Sequence, residues 1–136
     1  MHVIHIMANN STVPYFNGFA EKSMTEKSIQ FSFICLYPQK PKMMDEMTKY
    51  GCKCYWIPFD NTKRKTNYVK ACFQLYFLLK KIKPDAIHTH LFDDSLPALL
   101  AGKMAGVTKR IITKGDTGFH YFFAPYWVMF DPLNNR

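Results

Sequence analysis

Short apolar runs alternate with longer segments of helical period along this chain. Val3-Ile4-His5-Ile6-Met7-Ala8 is almost wholly apolar and is broken by Asn9-Asn10-Ser11-Thr12, which reads as a buried strand. Pro14 suits the first turn of a helix capped by Ser11 or Thr12, carrying Tyr15, Phe16 and Phe19 and ending near Ser23. Ile29 to Leu36 is a second strand, with Ile29, Phe31 and Phe33 on one face. Pro38 and Pro41 mark a turn, Met43 to Tyr50 a helix stopped by Gly51, and Cys52 to Ile57 a third strand closed by Pro58.

Asn67 to Ile82 is the longest helix, with Val69, Cys72, Phe73, Tyr76 and Leu79 at helical spacing and Pro84 as its stop. Leu75, Phe77 and Leu78 widen that face, and the spacing predicts that its aromatics are core. Ala86 to His90 is a fourth strand. Asp93, Asp94 and Ser95 offer caps for the next helix, with Pro97 in its first turn. Its expected buried face is Leu96, Leu99, Leu100 and Met104, and Gly106 ends it. Arg110 to Thr113 is a fifth strand, a loop with Gly115 and Gly118 follows, and Tyr126 to Arg136 reads as the start of another helix.

Strands alternating with helices predict an α/β fold. The expected form is a doubly wound, Rossmann-like parallel sheet of about five strands with helices on both faces. Its ligand crevice should lie beyond the C-terminal strand ends. The chain has 136 residues, one domain by length, and the last helix lacks a closing strand, so residues 1–136 are expected to be a single, incomplete domain.

Composition supports a real core: 48% of residues are hydrophobic and 16% aromatic, which excludes a disordered chain. No apolar run approaches the ~18 residues that span a bilayer. The first residues lack the basic n-region and cleavage site of a signal peptide, so the expected location is the cytoplasm. There, Cys35, Cys52, Cys54 and Cys72 should be structural thiols, because their spacing matches no zinc module.

Charge is unevenly spread. The chain carries a net +8, and Lys63, Arg64, Lys65, Lys70, Lys80, Lys81 and Lys83 fall in a segment without a single acid. Such a segment suits a solvated helix or an anionic neighbour such as the inner face of a cell membrane. Basic residues interleaved with Tyr68, Phe73 and Tyr76 also permit nucleic acid, but no recognised motif accompanies them, and no nucleic-acid partner is expected.

The strand ends would deliver Asn9, Asn10 and Ser11 from the first strand, His88, His90, Phe92 and Asp93 from the fourth, and Thr113, Lys114, Asp116 and His120 from the fifth. These amides, imidazoles and charged groups suit hydroxyl-rich ligands and phosphates. His88 and His90 alternate along one strand and share a face. With Asp93 or Asp116 they could hold a divalent metal, but the favoured reading has no metal: His88 is buried and hydrogen-bonded, and His90 is exposed at the crevice, able to bind a hydroxyl or act as a base. No GxGxxG, Walker loop or G-x-S-x-G occurs, which argues against dinucleotide binding and a serine nucleophile.

The block Ile82-Lys83-Pro84-Asp85-Ala86-Ile87-His88-Thr89-His90-Leu91 resembles the "kPDvvHtH" segment of family 4 glycosyltransferases. Ala98 to Val107 is similar to the helix that leads into that family's "rrIiTxHd", and Arg110 to Arg136 to the stretch that follows. The resemblance implies the GT-B fold, two Rossmann-like domains facing across a cleft, with this chain as the N-terminal, acceptor-side domain. It implies retaining transfer from a nucleotide-sugar to a sugar or lipid-linked acceptor, as in cell-surface polysaccharide or glycolipid synthesis. It also implies no cofactor, and a donor site on a C-terminal domain that this chain lacks, supplied in cis or in trans. His90 would be the catalytic group, with Asn9, Asn10, Ser11, His88, Lys114, Asp116 and His120 binding substrate. Two positions depart from the pattern: Asn9-Asn10-Ser11 stands where the family has a glycine pair, and Gly115 where it has His, so that Lys114 or His120 would have to substitute. The competing reading is a non-catalytic subunit of a split enzyme that docks a membrane or a partner through residues 63–83.

Overall fold

A computed structural model describes residues 1–90 and 92–113. Its elements run β1 (His2–Met7), α1 (Pro14–Thr25), β2 (Gln30–Tyr37), α2 (Met43–Lys49), β3 (Lys53–Pro58), a 3-10 turn (Asn61–Lys63), α3 (Arg64–Ile82), β4 (Ala86–Thr89), α4 (Phe92–Ala105) and β5 (Lys109–Ile112). All five strands pair in parallel in the order β3-β2-β1-β4-β5. This is the expected doubly wound sheet. The order reverses between β1 and β4, and there the crevice of such a sheet opens.

The alternation of side chains across the sheet sorts the core into two layers. On one face Ile4, Ile6, Ile34, Leu36, Ile57 and Ile87 meet Ala71, Leu75 and Leu79 of α3 and Ala98 and Ala101 of α4. On the other, Val3, Met7, Phe31, Phe33 and Cys35 meet Phe16 and Ala20 of α1 and Met43, Met44 and Met47 of α2. All four cysteines are free, and burial pushes the Cys35 thiol up to about 12 and Cys54 up to about 11, so both stay protonated.

Several helix details differ from the sequence pattern. α1 is preceded by Val13, which makes no side-chain cap; the Thr12 hydroxyl instead donates to Asn17 Oδ1 at 2.6 Å. α4 starts at Phe92, so Asp94 and Ser95 lie within its first turn, fully buried, and Pro97 falls inside the helix. Its core face is not the leucine row. Leu100 and Met104 are about half exposed, and Ala98, Ala101 and Gly102 face inward. The reason is proximity: a Cβ on Gly102 would run into the end of the Ile87 side chain, so the face of α4 toward β4 carries small residues. α3 likewise turns Val69, Phe73 and Phe77 outward and buries Ala71, Cys72, Leu75 and Leu79. The expected core face is corrected at Val69, Phe73 and Phe77, while Tyr76 and Leu78 pack partly buried against the core as expected.

The loop after β5, with Lys114, Asp116 and His120, and the helix expected from Tyr126 lie outside the described residues.

Candidate functional site

The register sets His5 of β1 opposite His88 of β4. The two-residue period of β4 puts His90, just past its end, on the same face. Three imidazoles therefore gather where the strand order reverses, on the side covered by α1. The His88 and His90 ring centroids are 4.1 Å apart, and His5 lies 5.1 Å from each. His5 Nδ1 and His90 Nε2 share a hydrogen bond of 2.8 Å. His88 Nε2 is 2.7 Å from the Thr113 hydroxyl at the end of β5.

Aromatic rings wall the cluster. Phe19, Phe31 and Phe33 surround His5, with centroids at 4.3, 5.3 and 5.5 Å. Tyr15 and Phe16 of α1 meet His90 edge-on at 5.5 and 4.9 Å. His5 is only 1% exposed, and its Nε2 has no hydrogen-bond partner among the described residues. Burial in this cage, then the proximity of His90 and His88, pulls the His5 pKa down to about 2. Burial, with His88 second, pulls His90 down to about 3, and burial alone lowers His88. Three neutral imidazoles side by side are tolerable where three charged ones would repel at close range and lose their hydration.

The two predicted histidines exchange roles. His90 is buried and bonded to His5, whereas His88 is the half-exposed one. The reason is α1, whose Tyr15 and Phe16 fold over His90 and leave the side toward β5 open, where Ile111 is 48% exposed. Asn10 is committed elsewhere: its carbonyl accepts from Met43 N at 3.0 Å and its Oδ1 from Lys42 N at 3.4 Å, tying the loop after β1 to the start of α2. Asn9 is half-buried and Ser11 exposed on the same loop. Lys114, Asp116 and His120 lie outside the described residues, so the structure brings together only His88 and His90 from the predicted set.

Sequence reasoning missed His5. The signal was a polar residue in a strand buried on both faces, and only the β1–β4 register shows that it meets His88. Also missed was the polar group beneath β4, where the Ser95 hydroxyl lies 3.0 Å from Thr89 Oγ1 and donates to Asp94 Oδ1 at 3.2 Å.

One nitrogen from each of the three histidines lies within 4.8 Å of the others, the loose outline of a cation site. A tetrahedral zinc with Zn–N bonds of about 2.0–2.1 Å sets its ligands roughly 3.3 Å apart. The 2.8 Å pair is closer than that and is satisfied as a hydrogen bond, so His5 and His90 would have to part before both could bind an ion.

The glycosyl transferase 4-like family matches residues 5–131. Among curated proteins none matches the chain. Among solved structures, MurG of Acinetobacter baumannii is similar with a TM-score of 0.62 and 17% identity, over 82% of this chain and 34% of that one. A UDP-GlcNAc 2-epimerase of Neisseria meningitidis bound to UDP-GlcNAc is similar with a TM-score of 0.63 and 17% identity, over 92% and 35%. CalG4, the calicheamicin glycosyltransferase, gives 0.50 and 12%, over 94% and 36%. The chain thus spans about a third of the length of these proteins, and at such identities they share a fold and no more. By the family match, the chain belongs to the glycosyl transferase 4-like family and has the fold of a GT-B N-terminal domain.

Proposed function

We propose, from that membership, that this chain is the acceptor-binding domain of a glycosyltransferase. A donor domain in cis or in trans would supply the nucleotide-sugar. The observation that carries the reading is the trio of neutral imidazoles at the reversal point of the sheet, with one of them, His88, half-exposed. A neutral imidazole offers one donor and one acceptor, the pair that a sugar hydroxyl answers. His88, Asn9 and Ser11 would meet the acceptor directly, and Lys114, Asp116 and His120 would extend the site from the loop after β5.

In the transfer, the acceptor oxygen bonds to the anomeric carbon as the bond from that carbon to the nucleotide phosphate breaks, with retention, and the hydroxyl proton passes to the departing phosphate oxygen. His90 is too weak a base near neutrality to take the hydroxyl proton, since its conjugate acid is held near a pKa of about 3. Its part would be to fix the half-exposed His88, whose ring lies 4.1 Å away and would meet the hydroxyl, while His5 holds the His90 ring by hydrogen bonding; His90 and His5 are then positioning residues.

The test is a titration of the histidine ring NMR signals with methyl glycosides and, separately, with UDP-sugars, beside a transfer assay. Methyl glycosides should shift the His88 and His90 rings, UDP-sugars should leave them in place, and the chain alone should transfer nothing. Sugar transfer by the chain alone would overturn the placement of the donor site on another domain. Rings that respond to UDP-sugars and ignore glycosides would overturn the acceptor assignment.

A further inference from the structure

His5, His88 and His90 meet where the order of the sheet reverses, and each offers a ring nitrogen within 4.8 Å of the other two. Among the described residues no other three histidine, cysteine or acidic side chains converge so closely. The sequence pattern shows only His88 and His90, a pair; the third ligand arrives through the register that sets His5 opposite His88. A tetrahedral zinc with Zn–N bonds of about 2.1 Å holds the centres of its imidazole ligands roughly 5 Å apart. His5 already stands 5.1 Å from both His88 and His90. The His88–His90 pair, at 4.1 Å, would open by roughly 1 Å, and the nitrogens of His5 and His90, at 2.8 Å, by roughly 0.5 Å. His88 has room for that movement because it is half-exposed, and His90 because it lies just past the end of β4.

We propose that these three imidazoles form a binding site for a divalent transition-metal ion of the zinc class. The donors fix the class: nitrogen ligands suit Zn2+, Co2+ or Ni2+, whereas Mg2+ and Ca2+ take oxygen. Each ring can spare one lone pair. The Thr113 hydroxyl, 2.7 Å from His88 Nε2, can accept the proton there and leave Nδ1 for the ion. Such an outer contact is what fixes the tautomer and orientation of a metal-bound imidazole. His5 Nδ1 and His90 Nε2 now share a hydrogen bond, and both would turn to the ion. The proton between them moves to the outer nitrogen of its own ring, so the three rings stay neutral and no proton is lost. Three ligands leave a tetrahedral ion one open position. It would face the side toward β5, where half-exposed His88 gives the ion an entry path and water a place to complete the shell. The ion site stands on this geometry and does not depend on the acceptor reading.

The test is titration of the chelator-treated chain with Zn2+, read by calorimetry, by melting temperature and by the nitrogen NMR shifts of the histidine rings. One ion per chain should bind with a dissociation constant in the micromolar range or below. Zn2+ should raise the melting temperature and Mg2+ should not. The ring nitrogens of His5, His88 and His90 should shift together as the ion binds. His88→Gln should weaken binding about tenfold or more. Because His88 is half-exposed, that variant should keep the wild-type melting temperature in the absence of zinc. Co2+ in place of Zn2+ should give the visible bands of a tetrahedral nitrogen site, without the sulfur-to-cobalt band that a cysteine site shows. No binding up to millimolar Zn2+, binding unchanged in His88→Gln, or a sulfur band from Cys52 and Cys54 would each overturn the proposal.

Discussion

The two helical layers of this domain use their aromatic residues in opposite ways. On the α1–α2 side Phe16, Phe31 and Phe33 are turned inward, around the histidines, and the outer surface carries both signs of charge: Glu21, Lys22, Glu26, Asp45, Glu46 and Lys49. On the α3–α4 side the inner surface is mainly aliphatic, with Phe59 buried and Tyr68 and Tyr76 partly buried at its margin, while Phe73 and Phe77 stand outside among lysines. The first layer builds a cage for polar groups beneath an ordinary solvated surface. The second builds an ordinary core beneath an unusual surface. Each layer is conventional on the side where the other is not, and the unconventional sides are where function is to be sought.

The contrast can be broken most sharply by truncating one phenylalanine of the inner cage. Phe16→Ala removes a ring that is 3% exposed and packs edge-on against His90, and should cost about 3–5 kcal/mol, read as a fall in the urea midpoint. A loss below ~1 kcal/mol would mean that α1 does not close over the site.

Acid should act next. In the unfolded chain His5 regains a pKa near 6.5, while in the fold it is held near 2, so protons favour the unfolded state. Stability is therefore complete above about pH 6.5 and falls as the pH drops toward the folded value. Between about pH 6.5 and pH 5 His5 alone should remove roughly 2 kcal/mol, at ~1.36 kcal/mol per pH unit. His88 and His90, which face it across β4, act in the same direction. His5→Phe, which continues the aromatic cage, should flatten this slope; an unchanged slope would show that His5 is not the buried neutral group described.

The smallest effect belongs to the outer layer. Phe73→Ser should move the melting temperature hardly at all, within about 0.5 kcal/mol, although it deletes as large a ring as Phe16→Ala. A loss comparable to Phe16→Ala would mean that Phe73 is covered in solution, and the two layers would no longer differ.

The sequence by itself determined the element order, the parallel doubly wound sheet and the block Pro84 to His90 that marks the family. Those follow from local signals: two-residue or helical period, and proline and glycine at the ends of elements. It also located the cationic segment, because charge is countable without a fold. Tertiary structure alone decided which helix faces turn inward. A pattern such as Val69-Cys72-Phe73-Tyr76 and its neighbour Cys72-Leu75-Leu79 both satisfy helical period, and only the packing on the sheet shows that Ala71, Cys72, Leu75 and Leu79 turn inward. Tertiary structure also paired His5 with His90, residues 85 positions apart. No local period reports a contact made through strand register, so the histidine that looked like the exposed one became the buried one.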